Sequence, residues 1–449
     1  MPNSTKSSLW RQPAGVYVVA IAEFWERFSY YGLVALLVLF LSGAPADGGL
    51  GWTQAQALQT YGVFAGLAFC LPAAGGWLAD RWLGERRGVL LGGLGILLGN
   101  LVLFFMTLGA DPSAAQLWLM LGLGLIVLGT GLLKPAISTL VGRVYDGRPH
   151  LARSGGYTLF LMCIWMGSVA GTLLAGALGE TIGFRWGFLV SALGMAAGLL
   201  VYALMAPRTL GEVGLKPARA TVEAAGGTAI PAAIPAILLM TLFTALYATG
   251  FYQKAGVLTL MVKSQTDRMV LGVELPASAF LTISTAGFVI LAPIFEIALD
   301  RLARRGLGLD VFQKQALALA ALGIGYAFFL GAVHQSAGGA LHSPWWIVAG
   351  YLCFSVGDVL IWPPQISTIS RLAPVRLTGL LIGLWYVTVG IGNYLAGFLG
   401  VAAQTIGLAA YFMVIQAGLA IGALALLTIR LAAPRLRAAV AIYNDGSPQ

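Results

Sequence analysis

The chain has 449 residues, of which 59% are hydrophobic and only 10% charged, with a formal net charge of +9. Water-soluble domains carry roughly 25% charged residues, so this composition excludes an ordinary soluble enzyme. The mean hydropathy of +0.86 describes an all-α membrane protein instead.

Apolar runs of about 20 residues or more recur along the chain and match the thickness of a bilayer core. Inside lipid the backbone must satisfy itself, which makes each run a helix; the short alternating segments of a β-barrel do not occur. About twelve spans are expected. Six lie near residues 14–42, 54–82, 87–108, 115–141, 154–178 and 184–206. Six more lie near 234–262, 276–303, 311–333, 345–371, 377–402 and 408–431. The residues ahead of the first span lack the small-residue cleavage site of a signal peptide, so that span is expected to be retained. The longest polar interruption, rich in Pro, Gly and Ala, splits the spans six and six. It suggests an N-terminal six-helix bundle over 14–206, a flexible cytoplasmic linker over 207–233 and a C-terminal six-helix bundle over 234–431.

The placement of the 26 Lys and Arg residues accounts for the positive charge. Arg27, Lys134 and Lys254 fall within spans, and Arg185, Lys263 and Arg268 fall on one side. All the others gather at the N-tail, the even-numbered loops and the C-tail. Basic loops stay in the cytoplasm, so both termini are expected there. The excess charge reports orientation and implies no nucleic-acid partner. Cys70, Cys163 and Cys353 lie in apolar spans without a CxxC pair or His neighbour and read as packing residues. No phosphate loop, zinc spacing or nucleophile elbow occurs. The expectation is a protein that is not an enzyme and binds no metal or organic cofactor.

The informative residues are the charges inside spans. In "EFWERFSYYG", Glu23, Glu26, Arg27 and Tyr30 stand at i, i+3, i+4 and i+7 and share one helix face, with Tyr31 beside Arg27. A charge at mid-membrane costs about 2.5–3.5 kcal/mol on insertion scales. These three should therefore face the protein interior and find partners on other spans. The candidates are Lys134 in "GLLKPAIST", Lys254 in "FYQKAG" and Asp358 in "SVGDVLIWPP". Three acids and three bases then balance. His150, His334 and His342 fall in loops, which leaves carboxylates to carry any transported proton.

Two motifs carry a resemblance to known proteins. "GGWLADRWLGERR", with Gly76, Asp80, Gly84, Arg86 and Arg87, resembles the loop between spans two and three of the major facilitator superfamily. Asp300 with Arg304 and Arg305 is a degenerate echo in the second half. Asp80 is expected to hold the basic pair, as a gating element. The first span resembles the ExxERFxYY motif of the proton-coupled oligopeptide transporters, a branch of that superfamily, at every specified position. "GLLKP" is similar to that family's span-four lysine segment, and the span-eleven stretch carries Trp385 and Asn393 in place.

The resemblance implies a major facilitator fold of two six-helix bundles and proton-driven uptake of di- and tripeptides. It implies proton coupling by Glu23, Glu26 and Asp358. It also implies substrate binding by Arg27, Tyr30, Tyr31, Lys134 and Trp385. Arg27 and Lys134 would hold the substrate carboxylate, and Asp358 stands where the family places a Glu that attracts the amino terminus. Several positions depart from the family pattern. Trp165 replaces a span-five Asn, and Leu281, Ser284 and Thr285 replace the Gln, Asn and Pro of span eight. Val34 and Tyr252 stand where many relatives have an Arg and an acid. Lys254 is an added charge that could pair with Asp358. Lys254, Ser284 and Trp165 therefore join the candidate binding residues.

The leading expectation is a monomeric proton-coupled symporter of small peptides or peptide-like carboxylates in a bacterial inner membrane. A carrier of a non-peptide organic anion or modified amino acid, and a non-transporting scaffold or sensor, are the alternatives.

Overall fold

The computed structural model describes residues 12–107, 112–146, 153–217, 233–270, 272–373, 377–434 and 436. Among them, 12 helices are long and apolar enough to cross a membrane. They are α1 Ala14–Ser42, α2 Gln54–Leu83, α3 Glu85–Met106, α4 Ala114–Arg143, α5 Gly155–Thr181 and α6 Phe184–Leu210, followed by α7 Ile234–Gln265, α8 Ala277–Arg304, α9 Val311–Gly338, α10 Pro344–Ser370, α11 Gly379–Ile406 and α12 Leu408–Ala432. The twelve-helix reading therefore holds. Most of the expected linker, residues 218–232, lies outside the described residues; its first part is helical, because α6 runs on through Pro207 to Leu210.

The described residues divide into two compact units. One draws on 1–51 and 67–221, the other on 52–66 and 222–449. The division by packing thus differs from the six-and-six division over residues 52–66. That part of α2 packs with the second unit, where a Cβ on Gly62 would lie 2.9 Å from the backbone of Gly397 and Tyr394.

In the first unit α1 packs against α5 and α6, and α3 against α4 and α6. The contact between α1 and α5 is a backbone contact. A Cβ on Gly167 would lie 2.2 Å from the carbonyl oxygen of Phe24, and one on Gly171 would lie 2.1 Å from that of Phe28. Small residues permit such an approach between membrane helices. Here they seat the segment that carries Glu23, Glu26 and Arg27.

In the second unit α9 packs against α10 and α12, α7 against α11, and α8 against α10. Helix α7 is interrupted. Its α-helical turns stop at Phe251, a 3-10 turn spans Tyr252–Ala255, and the helix resumes at Val257. The interruption places Lys254 at an irregular point of the backbone. Asp310 caps α9 through Gln313 and also accepts from Arg430 Nε at 2.6 Å, which ties α12 to the start of α9.

A clasp closes one end of this unit beyond the spans. His342 is fully buried. Its Nε2 is 2.7 Å from Thr266 Oγ1 and its Nδ1 is 2.9 Å from Ser336 Oγ. Its backbone exchanges hydrogen bonds with Gln265 and Asp267. A two-residue antiparallel hairpin, Met269–Val270 against Val273–Glu274, follows directly.

Two outcomes are expected. Gly171→Val should force α1 off α5 and cost about 1–3 kcal/mol by overpacking, read as a lower melting temperature in detergent. Burial pushes the His342 imidazole below its ordinary range, so the folded protein holds it neutral while the unfolded chain protonates first. Stability should be full above the free-histidine value of about 6.5 and should fall as pH drops below it. Melting curves from about pH 7 to about pH 5 should therefore be steeper for the parent protein than for His342→Gln.

Candidate functional site

Helix α1 brings its ionisable residues to the inside of the first unit. Glu23 and Glu26 are 0% exposed and Arg27 only 4%. The Arg27 guanidinium donates from Nε and Nη2 to the two carboxylate oxygens of Glu26, a two-pronged ion pair between neighbours in sequence. Arg27 Nε also lies 3.6 Å from Glu23 Oε1, one turn earlier. The guanidinium also sits over two aromatic rings, its central carbon 5.0 Å from the centroid of Tyr30 and 5.8 Å from that of Tyr31.

Helix α4 supplies the remaining charge. Lys134 Nζ donates to Glu23 Oε1 at 3.0 Å. Two carboxylates and two cations therefore form a neutral cluster, which is the condition for charges to be tolerated in a dry interior. The cluster is open at one point. The Lys134 side chain keeps 17% exposure where the acids have none. Glu23 Oε2 is buried and accepts no hydrogen bond from any described residue, so its lone pairs are the unsatisfied element of the cluster. Behind it, Asn100 Nδ2 on α3 donates to Ser29 Oγ at 3.2 Å.

The second unit holds another polar cluster, built on α7, α8, α10 and α11. Asp358 is 2% exposed. Its Oδ1 accepts from Tyr247 Oη at 2.9 Å and from Trp362 Nε1 at 2.7 Å. Gln365, two turns further along α10 from Asp358, accepts from Thr244 Oγ1 at 2.8 Å and from Trp385 Nε1 at 2.7 Å. Trp362 and Trp385 meet edge to face, as do Tyr247 and Trp362. Lys254 donates to Ser284 Oγ at 3.1 Å, and its ammonium sits 3.8 Å above the Phe251 ring.

Two expectations need correction. Lys254 does not form an ion pair with Asp358: the 3-10 turn directs the ammonium to Ser284, and the acid is satisfied by Tyr247 and Trp362. Nor does Asp80 hold Arg86 and Arg87. The turn Ala79–Leu83 and the left-handed Gly84, at φ 76°, bury the next residue instead. Glu85 is fully buried and accepts from Arg143 Nη1, while Asp80 and Arg87 stay exposed. Arg86 Nη1 donates to the carbonyl of Gly211 at 2.7 Å and its amide to that of Gly214 at 2.9 Å. In the second half, the echo is an exposed ion pair, Arg304 to Asp300 at 2.6 Å.

Trp165 is half-buried on α5. The structure adds Tyr247, Trp362, Gln365, Glu85 and Arg143 to the residues read from sequence. A helical signal existed for Trp362 and Gln365, at i+4 and i+7 from Asp358. Tyr247 had none, because its link to Asp358 spans two helices far apart in the chain.

The family model described as the POT family matches residues 86–209 and 231–413. A peptide transporter of Yersinia enterocolitica is 32% identical, over 85% of this chain and 86% of its own length. A di-/tripeptide transporter of Lactococcus lactis is 28% identical, over 86% of this chain and 88% of its own length. A crystal structure of a peptide transporter, POT, in complex with sulfate superimposes with a TM-score of 0.87 at 27% identity, covering 96% of this chain and 97% of that one. The chain belongs to the POT family. It is a multi-pass membrane transporter of the major facilitator fold and not an enzyme.

The cluster on α1 and α4 makes a prediction about stability. Lys134→Met leaves Glu23 short of its cation and should cost about 3–5 kcal/mol, as the loss of one partner of a buried pair does. Glu23→Gln combined with Lys134→Met restores neutrality and should recover most of that loss. Detergent melting of the two single variants and the double variant reads the coupling.

Proposed function

We propose that this protein is a proton-coupled symporter that imports di- and tripeptides or closely related carboxylates. The observation that carries the reading is the neutral cluster of Glu23, Glu26, Arg27 and Lys134, open only at Lys134. An incoming carboxylate meets Lys134 first. The planar guanidinium of Arg27 offers a carboxylate the same two-pronged geometry that Glu26 occupies. As the substrate takes over these cations, Glu23 and Glu26 lose their countercharges. A carboxylate left without its cation in a dry site holds a proton in place of it. Glu23 already has an oxygen that accepts no hydrogen bond from any described residue, which suits it to receive a proton. Substrate binding and proton uptake are then one exchange of partners. Release on the other side reverses it.

The driving force suffices. A membrane potential of about 100 mV contributes roughly 2.3 kcal/mol per charge, and each pH unit roughly 1.4 kcal/mol per proton. The peptide and di-/tripeptide transporters named above support the substrate class. The proton gradient replaces any bound cofactor. The protein works as a monomer in the inner membrane of a bacterium, with both termini in the cytoplasm as the basic loops direct. Its moving parts are the halves over 14–206 and 234–431.

Reconstitution in liposomes tests this. Labelled dialanine should accumulate when an inward proton gradient is applied and not otherwise. Glu23→Gln and Glu26→Gln should each lose accumulation against the gradient while still exchanging dialanine at equal concentrations. Uptake that ignores the gradient would exclude proton coupling. Uptake of organic acids but of no peptide would assign the protein to a different substrate class, and no uptake of either would leave a scaffold or sensor.

A further inference from the structure

Helix α10 carries a break in its hydrogen-bond ladder. Pro363 and Pro364 stand inside it. Neither has a backbone N–H, so the carbonyls of Val359 and Leu360 lose their usual helical donors. A helix that lacks two successive bonds bends most easily there. Asp358 precedes the break and Gln365 follows it.

Both sides of the break are tied to the same turn of α7. Before it, Asp358 Oδ1 accepts from Tyr247 Oη at 2.9 Å. After it, Gln365 Oε1 accepts from Thr244 Oγ1 at 2.8 Å. Thr244 and Tyr247 stand at i and i+3 and are neighbours on one face of α7. Gln365 Oε1 also accepts from Trp385 Nε1 at 2.7 Å, a bond to α11. An indole N–H can only donate, so this bond fixes which end of the amide faces α7 and α11. The other end is left over. Gln365 is fully buried, and its Nε2 meets no acceptor among the described residues. Two bonds to the oxygen favour this arrangement and the orphaned amide N–H groups oppose it. The fastening is therefore firm enough to hold and weak enough to release.

We propose that Gln365 is a positioning residue, a releasable latch that fixes the C-terminal part of α10 to α7 and α11 across the double-proline break. It acts through Thr244 and Trp385 and touches no substrate in this role. It sets how readily the two parts of α10 realign during the transport cycle. The proposal rests on the transport reading above and adds an element that limits turnover.

Hydrogen exchange of the detergent-solubilised protein reads the latch directly. In Gln365→Leu, amides within 366–370 should exchange about tenfold faster than in the parent, the worth of one to two net hydrogen bonds. Amides within 345–357, before the break, should keep their rates. Thr244→Val removes one hydroxyl at nearly constant shape and should give a smaller rise in the same segment, which keeps the test open if Gln365→Leu folds poorly. The double variant should exchange no faster than Gln365→Leu, because the two changes delete one shared bond. In proteoliposomes under a fixed proton gradient, Gln365→Leu should lower the maximal rate of dialanine uptake and leave its KM within about twofold. Unchanged exchange in 366–370, an equal rise on both sides of the break, or full additivity in the double variant would overturn the proposal. So would a raised KM at an unchanged maximal rate, which would make Gln365 a substrate contact. If the parent carries no dialanine, the transport reading falls, and the exchange pattern decides the latch by itself.

Discussion

The structure of the first unit depends on one requirement: four charges buried among apolar helices must neutralise each other at hydrogen-bonding distance. Arg27 lies between Glu26 and Glu23, and Lys134 completes the set from α4. Each of these groups alone would cost several kcal/mol to take out of water. Together they are tolerated, and the tolerance is conditional. A ligand that takes one cation leaves an acid that must find a proton or another partner. The feature that makes the cluster stable is thus the feature that makes it responsive.

The surrounding helices serve this arrangement. Glycines on α5 let α1 approach to backbone contact at Phe24 and Phe28, on either side of Glu26 and Arg27 in the sequence. The rings of Tyr30 and Tyr31 lie against the Arg27 guanidinium. The second unit solves the same problem differently. There, one acid is satisfied by neutral donors, Tyr247 and Trp362, and one base by Ser284 and an aromatic face.

Much of this was legible in the chain. Hydropathy located the spans, because lipid thickness sets their length. Spacing along one helix face placed Glu23, Glu26, Arg27 and Tyr30 together, and the burial of the first three follows from the cost of exposing charge to lipid. A balanced inventory of charges placed Lys134 among the partners of the α1 acids, and the structure showed that the acid it meets is Glu23. Short-range backbone detail was not legible. A single turn of altered helix at Ala79–Leu83, with Gly84 in the left-handed region, left Asp80 exposed and buried Glu85 against Arg143. A 3-10 turn at Tyr252–Ala255 sent Lys254 to Ser284 and away from Asp358.

Composition and periodicity alone determined that this is a twelve-helix membrane protein with ionisable groups turned to its interior, since the cost of polar groups in lipid leaves no other arrangement for such a chain. The motif on the first span determined the family. Only the tertiary structure decided which charges are paired and which are free. Pairing depends on where a helix breaks and how closely two backbones approach, and both are set by contacts between residues distant in sequence. That is why Glu26 and Arg27 close on each other while Lys254 keeps donors to spare.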